Sequence, residues 1–144
     1  MIVDVAGAVP RFPRRDIEAF VRRALRAIER AGGASFSPTE VSIAFLGDAA
    51  MTELNRRWRA KRKTTDVLTF PAESAPGATA PLGDIVISID QAKRQARAEG
   101  HSLATEVRYL LLHGLLHAFG WDHETDSGEM NALELALRGR LGLR

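Results

Sequence analysis

Three of the four histidines of this 144-residue chain fall within the stretch HGLLHAFGWDH, from His113 to His123. His113 and His117 are four residues apart, a spacing that places both imidazoles on the same face of a helix. Buried imidazole nitrogens need partners, and one shared zinc ion would satisfy both rings, with Zn–N bonds of about 2.0–2.1 Å. Gly120 can turn the backbone out of the helix, so that His123 folds back toward the same ion. The spacing therefore predicts a metal site formed by His113, His117 and His123.

The ligand set favours a catalytic zinc site, with one ion per chain. Three neutral imidazoles leave a fourth coordination position for water. A closed structural site would need a fourth protein ligand, which Asp122, Glu124 or Asp126 could supply. Structural zinc sites usually use cysteine, however, and the chain has none. Instead of binding the metal, Asp122 could orient a ligand histidine by a hydrogen bond to its other ring nitrogen. His101, at the border of the same helix, is assigned no role.

A glycine replaces the acidic residue that many zinc peptidases require. Peptidases of the metzincin type carry HExxHxxGxxH, in which the glutamate is the general base. Here that position is Gly114, so peptide cleavage by that route is disfavoured, although a metal ion can still activate water for hydrolysis. Glycine in mid-helix costs about 1 kcal/mol relative to alanine. We therefore expect another element or a substrate to approach the backbone closely at residue 114.

Positive charge is concentrated in one short segment. The net charge is only +2, but six of the eight residues from Arg56 to Lys63 are cations, with no acidic residue among them. Such a cluster fits a polyanionic partner such as a nucleic acid. The arginines of the first predicted helix alternate with Asp16, Glu18 and Glu29, which indicates a solvated helix face instead.

The composition is that of a soluble globular protein, with 45% hydrophobic and 26% charged residues. No stretch approaches the roughly 20 apolar residues of a membrane helix, and the N-terminus does not resemble a signal peptide. The absence of cysteine excludes a disulfide framework. We therefore expect a cytoplasmic protein with no membrane partner.

Hydrophobic periodicity predicts one α+β domain over residues 1–144, in which a small mixed sheet of about four strands packs with about five helices. The strands are predicted at residues 2–6, 41–46, 66–70 and 84–89. The helices are predicted at residues 14–30, 48–58, 90–100, 102–120 and from Asp126 to Leu141. Ser102 and an Asp126–Glu129 capping box begin the last two helices. Residues 71–83, rich in Pro, Ala and Gly, are expected to form an exposed, mobile loop.

The chain resembles the YbeY family, bacterial zinc-dependent endoribonucleases linked to ribosomal RNA maturation. HGLLHAFGWDH matches that family's H-G-x-L-H-x-x-G-[YF]-D-H signature, with Trp121 where tyrosine is usual. Three further blocks follow the family order: Leu54-Asn55 with Arg59, TDVLTF at 65–70, and GDIVIS at 83–88. The resemblance is clearest from about residue 40 onward, and the fold it implies has a zincin-like metal helix.

The resemblance implies a role for each of several residues. His113, His117 and His123 correspond to the metal ligands, and Arg59 to an arginine essential for activity. A guanidinium presents a planar fork to phosphate oxygens, so Arg59 could bind the scissile phosphate while metal-bound water attacks it. The neighbouring cations would contact the RNA backbone; these are Lys61, Arg62 and Lys63.

The remaining candidates have less specific interpretations. Trp58 and Trp121 could stack on unpaired bases, but core or pocket-wall positions are the better interpretation for both. Asp66 and Asp84 could act as a base or orient a ligand, and a role in local turns is favoured over either.

The function that the resemblance implies is a single-strand-specific endoribonuclease acting on ribosomal RNA precursors, in small-subunit rRNA processing and ribosome quality control. The ribosome or its proteins would then be further partners. Two alternatives remain open: a metzincin-like zinc peptidase, and a ribosome-associated zinc protein without catalytic activity.

Overall fold

A computed structural model of the chain describes residues 1–58, 67–72, 79–122 and 126–143. Within these residues the helices are α1 (Arg14–Arg30), α2 (Asp48–Trp58), α3 (Ile89–Glu99), α4 (Leu103–Ala118) and α5 (Glu129–Arg140). The strands are β1 (Ile2–Ala6), β2 (Ser37–Pro38), β3 (Glu40–Leu46), β4 (Val67–Pro71), β5 (Thr79–Ala80) and β6 (Gly83–Ser88). The predicted α+β class, with a four-stranded mixed sheet and five helices, is confirmed over the described residues.

The main sheet has the strand order β1-β3-β6-β4. β3 pairs in parallel with β1 and with β6, whereas β4 runs antiparallel to β6. β2 and β5 form a separate parallel pair of two residues each, which the sequence does not predict. The prediction of an exposed loop throughout residues 71–83 is wrong at Thr79–Ala80, which form β5, and at Pro71 and Gly83, which belong to β4 and β6. Leu82 is also fully buried. Residues 73–78 of the same stretch lie outside the described residues.

Different helices cover the two faces of the main sheet. On one face, Ile85 and Ile87 of β6 join a large apolar core to which α1, α4 and α5 contribute. On the other face, Val86 packs with Met51 of α2 and Leu68 of β4. β6 is therefore buried on both faces, and its successive side chains point to opposite sides of the sheet.

α4 is the buried helix that the apolar sequence predicts. Its core leucines are completely inaccessible to solvent: Leu111, Leu112, Leu115 and Leu116. Ser102 caps its N-terminus as predicted, because the Ser102 hydroxyl accepts a hydrogen bond of 3.1 Å from the backbone N–H of Thr105. The polar residues of α4 are thus presented from a rigidly packed element.

Two other helix N-termini differ from what the sequence predicts. The helix predicted to begin at Asp90 is capped by Ser88, and Asp90 instead accepts a hydrogen bond from the backbone N–H at the start of α2. At α5, Asp126 accepts hydrogen bonds from two backbone N–H groups, one of them that of Met130, while Glu129 binds the backbone N–H of Ser127. Both acids therefore stabilise the start of α5, but without the reciprocal geometry of a capping box.

Gly114 allows α4 to lie close to the sheet. A Cβ atom at residue 114 would be 2.8 Å from Cγ2 of Ile85 in β6 and 3.3 Å from Cγ2 of Val67 in β4. The close approach expected from the sequence is therefore made by another element of the protein. The branched Cγ2 atoms lie next to the strand backbones and have little freedom to move away.

We expect Gly114→Ala to destabilise the protein by about 1 kcal/mol. The gain in helix propensity, about 1 kcal/mol, is smaller than the typical cost of overpacking, about 1–3 kcal/mol. Gly139→Ala is the matched control, since nothing lies within 4 Å of its Cβ position in α5; it should stabilise by about 0.5–1 kcal/mol. Urea unfolding of both variants measures the difference. Equal stabilisation by both would contradict the close packing of α4.

None of the helices in the described ranges combines the length and apolar character needed to cross a bilayer.

Candidate metal centre

The C-terminal end of α4 is shaped by the predicted glycine turn. Gly120 has a φ of 101°, the left-handed conformation that glycine adopts most readily. The backbone N–H of Gly120 donates to the carbonyl of His117, and that of Trp121 donates to the carbonyl of Leu116. These two bonds form a Schellman motif, which ends the helix directly after the histidine pair. The Trp121 indole then donates a hydrogen bond of 2.9 Å to the carbonyl of Gly33, which fixes the chain after the turn.

His113 and His117 present their Nε2 atoms to each other. The two Nε2 atoms are 3.0 Å apart, and the ring planes are inclined by 77°. Two nitrogens bound to one tetrahedral zinc ion at 2.0–2.1 Å would be about 3.3 Å apart. The side chain of His113 is 29% exposed and His117 is partly exposed, so solvent reaches both residues. The geometry therefore fits a shared metal ion with only a small separation of the rings.

Glu134 of α5 lies behind His113 and was not identified from the sequence. His113 Nδ1 donates to Glu134 Oε1 over 2.8 Å, and Arg138 Nη2 donates to Glu134 Oε2 over 3.0 Å. The Glu134 side chain is only 11% exposed. Since a carboxylate accepts but does not donate, the proton of neutral His113 resides on Nδ1. The lone pair of His113 is thereby directed from Nε2 toward His117, as metal coordination requires.

Glu134 is ionised in this environment. Burial by itself raises the pKa of the Glu134 carboxyl. The hydrogen bonds from His113 and Arg138 and the positive charge of the Arg138 guanidinium oppose burial, and together they keep the pKa of Glu134 below its ordinary value. Glu134 is thus a carboxylate, and its negative charge can stabilise positive charge on the His113 imidazole.

Several predicted site residues lie outside the described residues. These are Arg59, Lys61, Arg62, Lys63, Asp66 and His123, together with the side chain of Trp58. Over residues 1–58, 67–72, 79–122 and 126–143, no group of three or more His, Cys, Asp or Glu side chains is arranged to bind a metal. The described part of the chain therefore contains two of the three predicted ligands, and the convergence of the third remains a prediction.

Three other candidates have structural positions. Asp84 is exposed on β6, and since its neighbour Ile85 contacts α4, the Asp84 side chain points to the opposite face of the sheet from the histidine pair. Trp121 is partly buried against the core, in agreement with its interpretation as a wall residue. His101, with no role predicted, binds the buried carboxylate of Glu106 over 2.7 Å.

Comparisons with known proteins identify similar sequences over most of the chain. A family model described as "Endoribonuclease YbeY" matches residues 8–142. A protein of that name from Nautilia profundicola is 51% identical over 104 residues, which are 72% of this chain and 73% of the relative. Another from Solibacter usitatus is 44% identical over 130 residues, which are 90% of this chain and 80% of the relative.

A solved structure supports the fold. A protein from Thermotoga maritima, whose structure was determined in solution, is similar with a TM-score of 0.58 and 20% sequence identity. The similarity covers 96% of this chain and 88% of that protein. At this level of identity the comparison concerns the arrangement of helices and strands alone.

Proposed function

The chain belongs to the YbeY family of endoribonucleases, and on that premise we propose that it is a metal-dependent hydrolase that cleaves single-stranded RNA. Its substrates are ribosomal RNA precursors, above all those of the small subunit, and it also acts in ribosome quality control. The ribosome or its proteins are further partners, and the cytoplasm is the site of action. Residues 1–144 act as one catalytic domain.

The facing Nε2 atoms of His113 and His117 are the observation that supports the metal site best. Both histidines extend from one packed helix, and Glu134 orients the first of them. His123 follows the glycine turn by three residues and would supply the third nitrogen. A zinc ion, one per chain, would act there as a Lewis acid that activates water for hydrolysis. Imidazole is a ligand that zinc accepts readily in proteins.

Arg59 and the cations beside it are proposed to bind the substrate. The described part of α2 extends to Trp58 and packs on the sheet through Met51, and Arg59 is the next residue in the sequence. The guanidinium of Arg59 would bind the scissile phosphate and stabilise the charge that develops on it. Lys61, Arg62 and Lys63 would contact the flanking RNA backbone.

The structure argues against a metzincin-like peptidase. The residue-114 Cβ position is directed at Ile85 and Val67, so a glutamate there would collide with the sheet. The general base of that peptidase class therefore has no room at its usual position. An RNA phosphodiester has a different requirement, namely stabilisation of charge on the phosphate, which a cation such as Arg59 provides.

Metal removal and substrate choice test the proposal together. We expect the zinc-loaded protein to cleave single-stranded RNA, to lose that activity after chelation, and to regain it when zinc is added back. Double-stranded RNA of the same sequence and casein serve as the comparison substrates, with products resolved on gels. Cleavage of casein but not of RNA would support the peptidase alternative. Activity that persists after complete chelation would contradict the metal-dependent mechanism.

A further inference from the structure

A series of side-chain contacts connects α4 with α5 beside the histidine pair. The guanidinium carbon of Arg138 lies 4.3 Å from the centre of the Tyr109 ring. One turn closer to the C-terminus of α4, and one turn closer to the N-terminus of α5, Glu134 contacts His113. The residue numbers rise along α4 as they fall along α5, so the two helices run in opposite directions at this contact. Each of these two contacts therefore pairs one side chain of α5 with one residue of α4.

The contacts of Arg138 and Glu134 are linked, because these two residues also bind each other. Arg138 and Glu134 are four residues apart on α5, and their side chains form an ion pair of 3.0 Å. Arg138 thus occupies the second oxygen of Glu134 while His113 occupies the first. With both oxygens bound and 11% of the side chain exposed, the carboxylate has a single orientation. That orientation is the one that directs His113 Nε2 toward His117.

This arrangement carries a cost that a purely structural contact would avoid. Arg138 Nε is buried, and within the described part of the chain it has no hydrogen-bond partner. A buried donor without a partner is unfavourable for folding. Glu134 also occupies the stripe of α5 that otherwise buries Met130 and Leu137, where an apolar residue would be the simpler choice. Polar groups kept in such positions are often explained by function.

We propose that Glu134 and Arg138 form a positioning pair for the metal site, in which Arg138 orients the Glu134 carboxylate and Glu134 fixes the tautomer and ring orientation of His113. The inference rests on the proposed metal-dependent function and extends it from the ligands to the residues that orient them. Glu134 acts through His113 and makes no contact with substrate. Its effect is to keep Nε2 of His113 unprotonated before the ion arrives, so that binding does not require a change of tautomer at His113.

Glu134→Gln is the primary test, because it keeps the size of the side chain and removes its charge. A glutamine can donate from its amide to His113 Nδ1, which would leave the proton on Nε2 and block coordination. Loss of an outer partner of this kind typically weakens metal affinity 10–100-fold. We therefore expect the zinc dissociation constant, measured by competition with a chromogenic chelator, to rise by about 10–100-fold. RNA cleavage should recover substantially at saturating zinc.

Glu106→Gln is the matched control. Glu106 is also a buried carboxylate bound to a histidine, with 2.7 Å between its Oε1 and Nε2 of His101, but that pair belongs to the other end of α4. Both variants should lose thermal stability, and only Glu134→Gln should lose zinc affinity. An equal loss of zinc affinity in both variants would mean that the effect is one of general stability, and it would overturn the positioning role.

A second readout does not depend on zinc. Long-range ¹H–¹⁵N spectra of the metal-free protein at about pH 8, where imidazoles are mostly neutral, report which ring nitrogen carries the proton. We expect His113 to be protonated on Nδ1 in the wild type, with a mixture of tautomers in Glu134→Gln. Finding His113 protonated on Nε2 in the wild type would refute the proposal.

Arg138→Met tests the remaining member and serves if Glu134→Gln does not fold. Methionine retains an apolar stem beside Tyr109 but releases the second oxygen of Glu134. Its zinc affinity should lie between those of the wild type and Glu134→Gln, and wild-type affinity would contradict the role of Arg138. In the double variant Arg138→Met should have no additional effect, since it acts through Glu134.

The two proposals fail in different ways. A wild-type protein that does not bind zinc would reject the proposed function, while the tautomer measurement would still report on Glu134. A wild-type protein that binds zinc with the same affinity as Glu134→Gln would reject the positioning pair and leave the proposed function intact.

Discussion

Replacing His117 by alanine is expected to abolish zinc binding and RNA cleavage while the protein remains folded. His117 supplies one of the three proposed ligands, and its removal should weaken zinc affinity by more than the roughly 100-fold upper range for groups behind a ligand. The core beneath it is formed by apolar residues of α4 that the substitution leaves unchanged. Metal analysis, chelator competition and gel assays of RNA cleavage measure the three expected outcomes, with circular dichroism to follow folding.

His101→Ala is the control for this substitution, because His101 is at the opposite end of the same helix region. Its loss would leave Glu106 without its 2.7 Å partner and cost about 1–3 kcal/mol of stability. Zinc content and cleavage rate should nevertheless match those of the wild type. Zinc-dependent cleavage that survives in His117→Ala would show that the metal is bound elsewhere.

α4, which carries His113 and His117, is the part of the site that local sequence determines most fully. The apolar run from Leu110 to Phe119 predicts burial, Ser102 predicts its start, and Gly120 predicts its end; the structure confirms all three. These features depend on backbone hydrogen bonds and side chains within one helix, so they can be read without knowledge of the remaining fold. The four-residue spacing of His113 and His117 brings their Nε2 atoms together for the same reason.

Glu134 could not be assigned from local pattern, because its partner is 21 residues away on another helix. The spacing of residues along the chain does not show which face of α4 packs against which face of α5. One signal was available: Glu134 interrupts the apolar stripe of Met130, Leu137 and Leu141. A charged residue on an otherwise apolar face requires a buried partner. In the structure the partners are His113 of α4 and Arg138 of α5 itself.

The pairing of the strands shows the same division between local and distant information. β-branched runs identify β3, β4 and β6, because such side chains favour extended backbone. They do not indicate that β6 lies between β3 and β4, nor that β4 is the antiparallel member. The two-residue strands β2 and β5 are too short to show a period of two, and they exist through contacts made only in the folded chain.

Replacing Arg59 by alanine is expected to reduce RNA cleavage by about 10²–10³-fold, the range for loss of one group that stabilises transition-state charge. Zinc content should be unchanged, since Arg59 is not among the proposed ligands. Arg56→Ala is the control: Arg56 is an exposed cation of the same segment that pairs with Glu53, and it should retain most of the activity. Single-turnover cleavage at saturating protein, together with metal analysis, measures the difference between Arg59→Ala and Arg56→Ala.

The Arg59 result also decides between a nuclease and a zinc protein without catalytic activity. If zinc serves only to stabilise a ribosome-binding surface, the purified wild-type protein should not cleave RNA, and Arg59→Ala should change neither the cellular phenotype nor the metal content. Arg59→Lys makes the distinction sharper. Lysine preserves the positive charge but not the planar fork that binds two phosphate oxygens at once. A nuclease in which Arg59 stabilises the phosphate should therefore regain RNA binding in Arg59→Lys while its cleavage rate remains well below that of the wild type. Equal recovery of binding and cleavage would mean that Arg59 contributes charge alone.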